Sequence, residues 1–176
     1  MIGSDTFLSP SKSMYISNNN LENLYTLNSA TTVHAYREFS IPTDVFEIEL
    51  SFDFKGVGDG NNDYMRVWFV PLDFDPTPGT LITAANSGGV QLGGNFSRIS
   101  EFTNYAFNFI SGDLRGNVGK IVFEWRNNAS GGTQPPAAVD NVRLKKVTCP
   151  IPQDIEAVLS CDDSNISVIS WTPGGA

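Results

Sequence analysis

The chain has 176 residues, a formal net charge of −8, one histidine and two cysteines. That length suits one sandwich-sized domain and little else. The acidic balance lacks the basic footprint a phosphate backbone requires, which argues against nucleic acid, and no apolar run reaches membrane-helix length, so no membrane insertion is expected. Twelve Phe, five Tyr and three Trp, with Gly and Pro recurring between apolar runs and no sustained 3.6-residue period, make all-β the natural class.

In chain order, Lys12 to Ser17 reads as a short strand with Met14 and Ile16 on one face, followed by a turn over Asn18 to Asn20. Tyr25 to Ser29 and Val33 to Ile41 are the next extended pieces. In the second, Arg37 shares the parity of Val33, Ala35, Phe39 and Ile41, which calls for a bulge or for a buried partner. Phe46 to Lys55 is the cleanest strand: Phe46, Ile48, Leu50, Phe52 and Phe54 face one way, and Glu47, Glu49, Ser51, Asp53 and Lys55 the other. A one-residue slip would expose the whole apolar set, so its register is firm and it belongs at the centre of the core.

Gly56 to Asn62 is a loop, and Tyr64 to Val70 the next strand, stopped by Pro71. Met65, Val67 and Phe69 would join the core; Tyr64, Arg66 and Trp68 would share the face of Asp53. Leu72 to Arg98 is long and weakly patterned, the kind of loop that is usually functional or mobile. Ile99 to Phe109 reads as loop running into strand, and Gly112 to Gly119 as a turn. From Lys120, Ile121, Phe123 and Trp125 alternate with Val122, Glu124 and Arg126. Asn127 to Pro136 is a polar loop, and Ala137 to Leu144 re-enters an extended segment containing Asp140.

Parity puts Asp53, Arg66, Trp68, Glu124 and Arg126 on one polar face. Such a face suits a sugar: Tyr64 or Trp68 would stack on the pyranose ring while Asp53, Arg66 and Arg126 bond its hydroxyls. The alternative is a ladder of cross-strand ion pairs flanking an aromatic packed beneath a loop. Exposure of Trp68 or Tyr64 would favour glycan binding, and burial of both a structural spacer. The acidic loop Gly58 to Asp63 reads as a turn or as a calcium loop, though it lacks a closing Glu. Catalysis has little to stand on, so no enzyme is expected. His34 is the single histidine, a lone one on a strand that reads as surface. Nucleophile elbow, metalloprotease and zinc spacings are absent, and Glu47 and Glu49 lie on an exposed strand face.

Beyond Val147, CPIPQDIEAVLSCDDSNISVISWTPGG contains a strand, a turn at Asp162 to Asn165, and a second strand ending in Trp171. Two strands alone cannot bury a core. An extended strand between Cys149 and Cys161 would hold them beyond bridging distance, so they read as two free or differently partnered thiols.

Four stretches carry a family resemblance: KSMYISNN from Lys12, FEIELSFDFKG from Phe46, DYMRVWFVP from Asp63 and FEWRNNASGGTQPPAAVDNV from Phe123. Residues 1–148 resemble the jelly-roll modules of Bacteroidetes surface and secreted proteins, the cleaved-adhesin or MAM-like domains. Residues 149–176 resemble the first two strands of a fibronectin type III domain. The resemblance implies an all-β jelly-roll β-sandwich followed by a short hairpin-like remnant of the second domain. It also implies a structural calcium, with Asp140 at the position of a ligand before the last strand; the plainer reading is that Asp140 caps a turn or pairs with an arginine. Family members carry a further strand ahead of the KSMYIS segment, so the chain reads as a fragment cut at both ends. An unpaired sheet edge would then favour self-association. The expected role is a non-catalytic extracellular or cell-surface module of a larger bacterial protein, binding glycan or protein in adhesion. A structural spacer or an ancillary domain of a secreted hydrolase are the other readings.

Overall fold

The computed structural model describes residues 1–45, 47–110, 118–147, 153–159 and 167–172. Phe46, most of the expected turn at Gly112 to Gly119, the Asp162 to Asn165 turn and both cysteines lie outside the described residues. The strands are β1 (Ile2–Gly3), β2 (Ser13–Tyr15), β3 (Thr31–Ser40), β4 (Glu47–Gly56), β5 (Tyr64–Pro71), β6 (Val90–Phe96), β7 (Ile99–Ile110), β8 (Val118–Asn127), β9 (Ala138–Lys146), β10 (Gln153–Leu159) and β11 (Ser167–Thr172). One helical turn, α1 (Ala84–Ser87), precedes β6.

Two antiparallel sheets form the sandwich. The larger runs β1-β2-β9-β4-β7 and the smaller β3-β8-β5-β6. From β2 to β9 the chain changes sheets at every connection except β5 to β6, which is the jelly-roll winding. β10 and β11 pair with each other as a separate hairpin.

The core follows from alternation. Ile48, Leu50, Phe52 and Phe54 of β4 are buried against Met65, Val67 and Phe69 of β5 and Ile121, Phe123 and Trp125 of β8. Phe52 has no exposed surface; its ring lies 5.4 Å from Phe123, 5.6 Å from Phe96, 6.0 Å from Tyr105 and 6.2 Å from Phe107. β4 is paired along both edges, by β7 and β9, and so occupies the interior position its pattern demands.

Four expectations change, the first being that Ile99 to Phe109 is strand from its start, with no leading loop. Tyr25 to Ser29 is not a strand. Tyr25 is buried all the same, because Gln134 takes the place of a neighbouring strand: its Oε1 accepts the Tyr25 N–H at 3.3 Å and its Nε2 donates to the Tyr25 carbonyl at 2.7 Å. The segment from Leu72 to Arg98 is not all loop, since it contains β6. The glycines of QLGGNF hide the alternation, yet Gly93 is needed: its φ is +70°, and a Cβ there would meet the Phe107 ring at 2.7 Å. Among the described residues Arg37 has neither a bulge nor a buried partner. β3 pairs with β8 without a break from Thr31 opposite Asn127 to Ser40 opposite Val118, and Arg37 is exposed. β3 is an edge strand, so a long side chain of inward parity can reach water sideways.

Candidate functional site

Each sheet has an outer face, and the two are built differently. On the smaller sheet, Tyr64, Arg66 and Trp68 of β5 do lie beside Glu124 and Arg126 of β8. Asp53 is not with them, because β4 belongs to the other sheet. Parity assigns a residue to a side of its strand, never to a sheet. The segment from Leu72 to Gly89 folds over this face. Ile82 and Phe74 pack on Trp68, Val70 and Val122, leaving Trp68 4% exposed; Tyr64, 6% exposed, has the Arg66 and Arg126 guanidiniums 5.9 and 5.6 Å from its ring. Neither ring offers a face on which a sugar could stack.

Beneath that roof lies a network of charges. Glu124 is fully buried. It accepts from Arg66 Nε at 2.8 Å and from Arg66 Nη2, from the Ile82 N–H at 2.6 Å, and from His34 Nε2 at 3.2 Å. Arg66 also donates to the Ile82 carbonyl at 2.9 Å. His34 is therefore a buried member of the network and not a surface residue. Burial pushes the Glu124 carboxyl up, but the bonds from His34, the Ile82 N–H and Arg66 outweigh it and hold the group below the ordinary glutamate value. Lys120 closes the other end of the roof, donating to Phe74 O at 3.0 Å and Asp75 at 2.6 Å. Arg126 donates to the Tyr64 hydroxyl at 3.0 Å. These bonds tie sheet to loop.

Asp140 sits outward on β9, opposite Asp53 of β4. Its carboxylate accepts the N–H of Leu8 at 2.8 Å and of Ser9 at 2.9 Å, the Ser9 hydroxyl at 2.8 Å and the Asn141 N–H at 2.7 Å. Burial raises its pKa, and the donors from Ser9 and Leu8 more than reverse that. A carboxylate ringed by donors does not fit calcium, which needs six or more oxygens around it. Among the described residues no three Asp, Glu, His or Cys side chains converge. The arrangement is that of a capped turn. Asp140→Ala is expected to lose about 1–3 kcal/mol in urea titrations, the cost of orphaned donors. Melts of the parent protein in calcium and in EDTA are expected to coincide.

The Gly58 to Asp63 loop is likewise a turn. Asp59 Oδ1 accepts the N–H groups of Asn61, Asn62 and Asp63 at 2.7–2.9 Å. Asp63 points inward, accepting from the Tyr25 hydroxyl at 2.7 Å and the Asn128 N–H at 3.0 Å. Gly132 must be glycine beside this pair: its φ is +134°, and a Cβ would lie 2.0 Å from the Tyr25 hydroxyl.

The outer face of the larger sheet is open. A polar groove of about 420 Å³ runs across β4, β7 and β9. Its centre is Asp53, which accepts the amide of Asn104 at 2.9 Å from one side and of Asn141 at 2.7 Å from the other. Asn141 reaches it because β9 bulges there. The register with β4 shifts between Ser51 and Asp53, and Asn141 has a φ of +49°. Lys145 pairs with Glu49 at 3.0 Å, and Arg143 stands exposed opposite Ser51. Ala106 leaves a shallow floor. Half-buried Phe102 lies on the same face, its ring 5.9 Å from the Lys55 ammonium. Sequence reasoning named Asp53 but grouped it with residues of the other sheet, and missed Asn104, Asn141 and Arg143. Asn104, Ala106 and Asn108 do alternate with Tyr105, Phe107 and Phe109, which was the available signal; the neighbours of β4 were not.

The winding and the open sheet face define an all-β protein of the jelly-roll β-sandwich class. Neither a family model nor a curated protein matches the sequence. Among solved structures, the chain is similar to a family 16 carbohydrate-binding module at 13% identity and a TM-score of 0.52, over 82% of this chain and 84% of that one. It is also similar to the enzymatically active domain of tailspike protein 4 of bacteriophage CBA120, at 18% identity and a TM-score of 0.50. That alignment covers 83% of this chain and 17% of the tailspike chain. At these identities the likeness is one of fold.

Proposed function

We propose that the chain is a non-catalytic glycan-binding module whose site is the groove on the outer face of the larger sheet. The observation that carries this reading is the set of polar side chains around Asp53. Amides from two flanking strands are held in place before any ligand arrives, above a floor small enough to admit a ring. Preorganised amide and carboxylate groups are what polyhydroxylated ligands require. The similarity to a module named for carbohydrate binding supports the reading through the fold. The same reading makes the chain part of a larger extracellular or surface protein, as the adhesin-like and fibronectin-like stretches suggest. Self-association through the long edge strands β3 and β7 belongs with it and would appear as concentration-dependent sedimentation.

A glycan array on the intact chain tests the proposal, followed by calorimetry on the best ligand. Asn104→Ala is expected to weaken that ligand about tenfold, equivalent to about 1.4 kcal/mol, in a protein that still unfolds cooperatively. An array with no positive glycan, or a ligand indifferent to Asn104, would overturn it. A spacer role is the second reading, favoured by one observation: the other outer face is sealed under its own loop, with Tyr64 and Trp68 both covered.

A further inference from the structure

We infer, building on the glycan reading of this groove, that the sugars it prefers are acidic and that Arg143 receives their carboxylate. The inference comes from how the charges of the open face are partnered. Lys145 is held by Glu49 at 3.0 Å, and Lys55 rests over the Phe102 ring. Arg143 is exposed in the groove and has no partner among the described residues. The carboxylate that would be expected to take it, Asp53, already has one oxygen on the Asn104 amide and the other on the Asn141 amide. The groove therefore presents a guanidinium without a partner among the described residues, beside two carboxylates that are both engaged elsewhere.

A guanidinium is a planar fork of donors that matches a carboxylate through two parallel bonds, an arrangement about twice as strong as neutral hydrogen bonds. A uronic acid carries a carboxylate on the ring and hydroxyls around it. With the carboxylate on Arg143, the neighbouring hydroxyls lie toward Ser51 and the Asn141 and Asn104 amides. The net charge of −8 does not forbid this. Repulsion from distant charges is screened beyond about 8 Å at physiological salt. In the groove the ligand meets Arg143 and Lys145 against Glu49 and Asp53, with Asp140 opposite Asp53 held by its four donors.

The test uses the whole chain in affinity electrophoresis and calorimetry at physiological salt. The probes are polygalacturonate, alginate and hyaluronan, each beside its carboxyl-reduced, neutral counterpart. At least one uronate polymer is expected to bind about ten- to a hundredfold tighter than its reduced form. Arg143→Ala is expected to bring that ratio close to one, and Arg143→Lys to restore part of it. Arg37→Ala, which removes an equal charge from the far sheet, is expected to leave the ratio unchanged. Equal binding of native and reduced polymers, a ratio insensitive to Arg143, or an equal effect of Arg37→Ala would each overturn the inference. If neutral glycans bind and no uronate does, the acidic preference fails while the groove stands as a glycan site. If nothing binds on the array or here, the glycan reading fails and the inference with it.

Discussion

Glu124→Ala is expected to destabilise the protein by about 3–5 kcal/mol, read as a fall in the urea midpoint with little change in slope. The carboxylate has no exposed surface, and its removal strands three donors at once: the Arg66 guanidinium, His34 Nε2 and the Ile82 N–H. The Arg66 charge would remain in a poorly solvated place with only the Ile82 carbonyl to meet it. Leaving a buried charge unpaired is what makes such truncations severe, even where the intact pair adds little net stability. Glu124→Gln keeps the shape and one acceptor and is expected to cost less. The roof should loosen with the loss, so tryptophan fluorescence from Trp68 is expected to shift red in the alanine variant before global unfolding.

The same carboxylate sets a pH dependence. Its folded pKa lies below its unfolded value, so the folded state holds fewer protons over that interval. Its contribution is therefore complete above the unfolded value of about 4.3 and is lost as the pH falls through the lower, folded one. Stability is expected to decline on acidification below about pH 4, and to decline less steeply in Glu124→Gln. Parallel pH profiles for the two proteins would count against this account.

Phe52→Ala is the second large effect, about 3–5 kcal/mol. Phe52 is fully buried, and four aromatic rings from three other strands converge on it. Truncation leaves a cavity between two sheets whose hydrogen-bonded backbones cannot easily close in. Phe52→Leu retains most of the volume and is expected to lose less. Val90→Ala, at an exposed position on an edge strand, is expected to stay within about 0.5 kcal/mol of the parent. If Phe52→Ala behaved like Val90→Ala in denaturant titrations, the central place of β4 in the core would be wrong.

The alternation of β4, β5 and β8 was readable from the chain, because a period of two is a local property and a buried face tolerates no slip. β6 was not readable, because its glycines serve an approach to Phe107 that only the folded sheets create. The candidate site divides the same way. Parity put Arg66 and Glu124 on one polar side, and it is the sheet that sets their two strands next to each other. Asp53 was grouped with them wrongly, since the same inward and outward pattern serves both sheets.

Amino-acid order alone thus determined the all-β class, the strands that make the dry interior and the polar character of their other sides. Tertiary structure decided which outer face stays open. Ile82 closes one face by reaching Glu124 across 42 residues, and Leu8 and Ser9 occupy Asp140 across more than 130. The bulge at Asn141 turns an amide onto Asp53 of a neighbouring strand. The reason is physical: side-chain direction is set by bonds between adjacent residues, whereas cover and partnership depend on which distant segments the sheets bring within hydrogen-bonding reach.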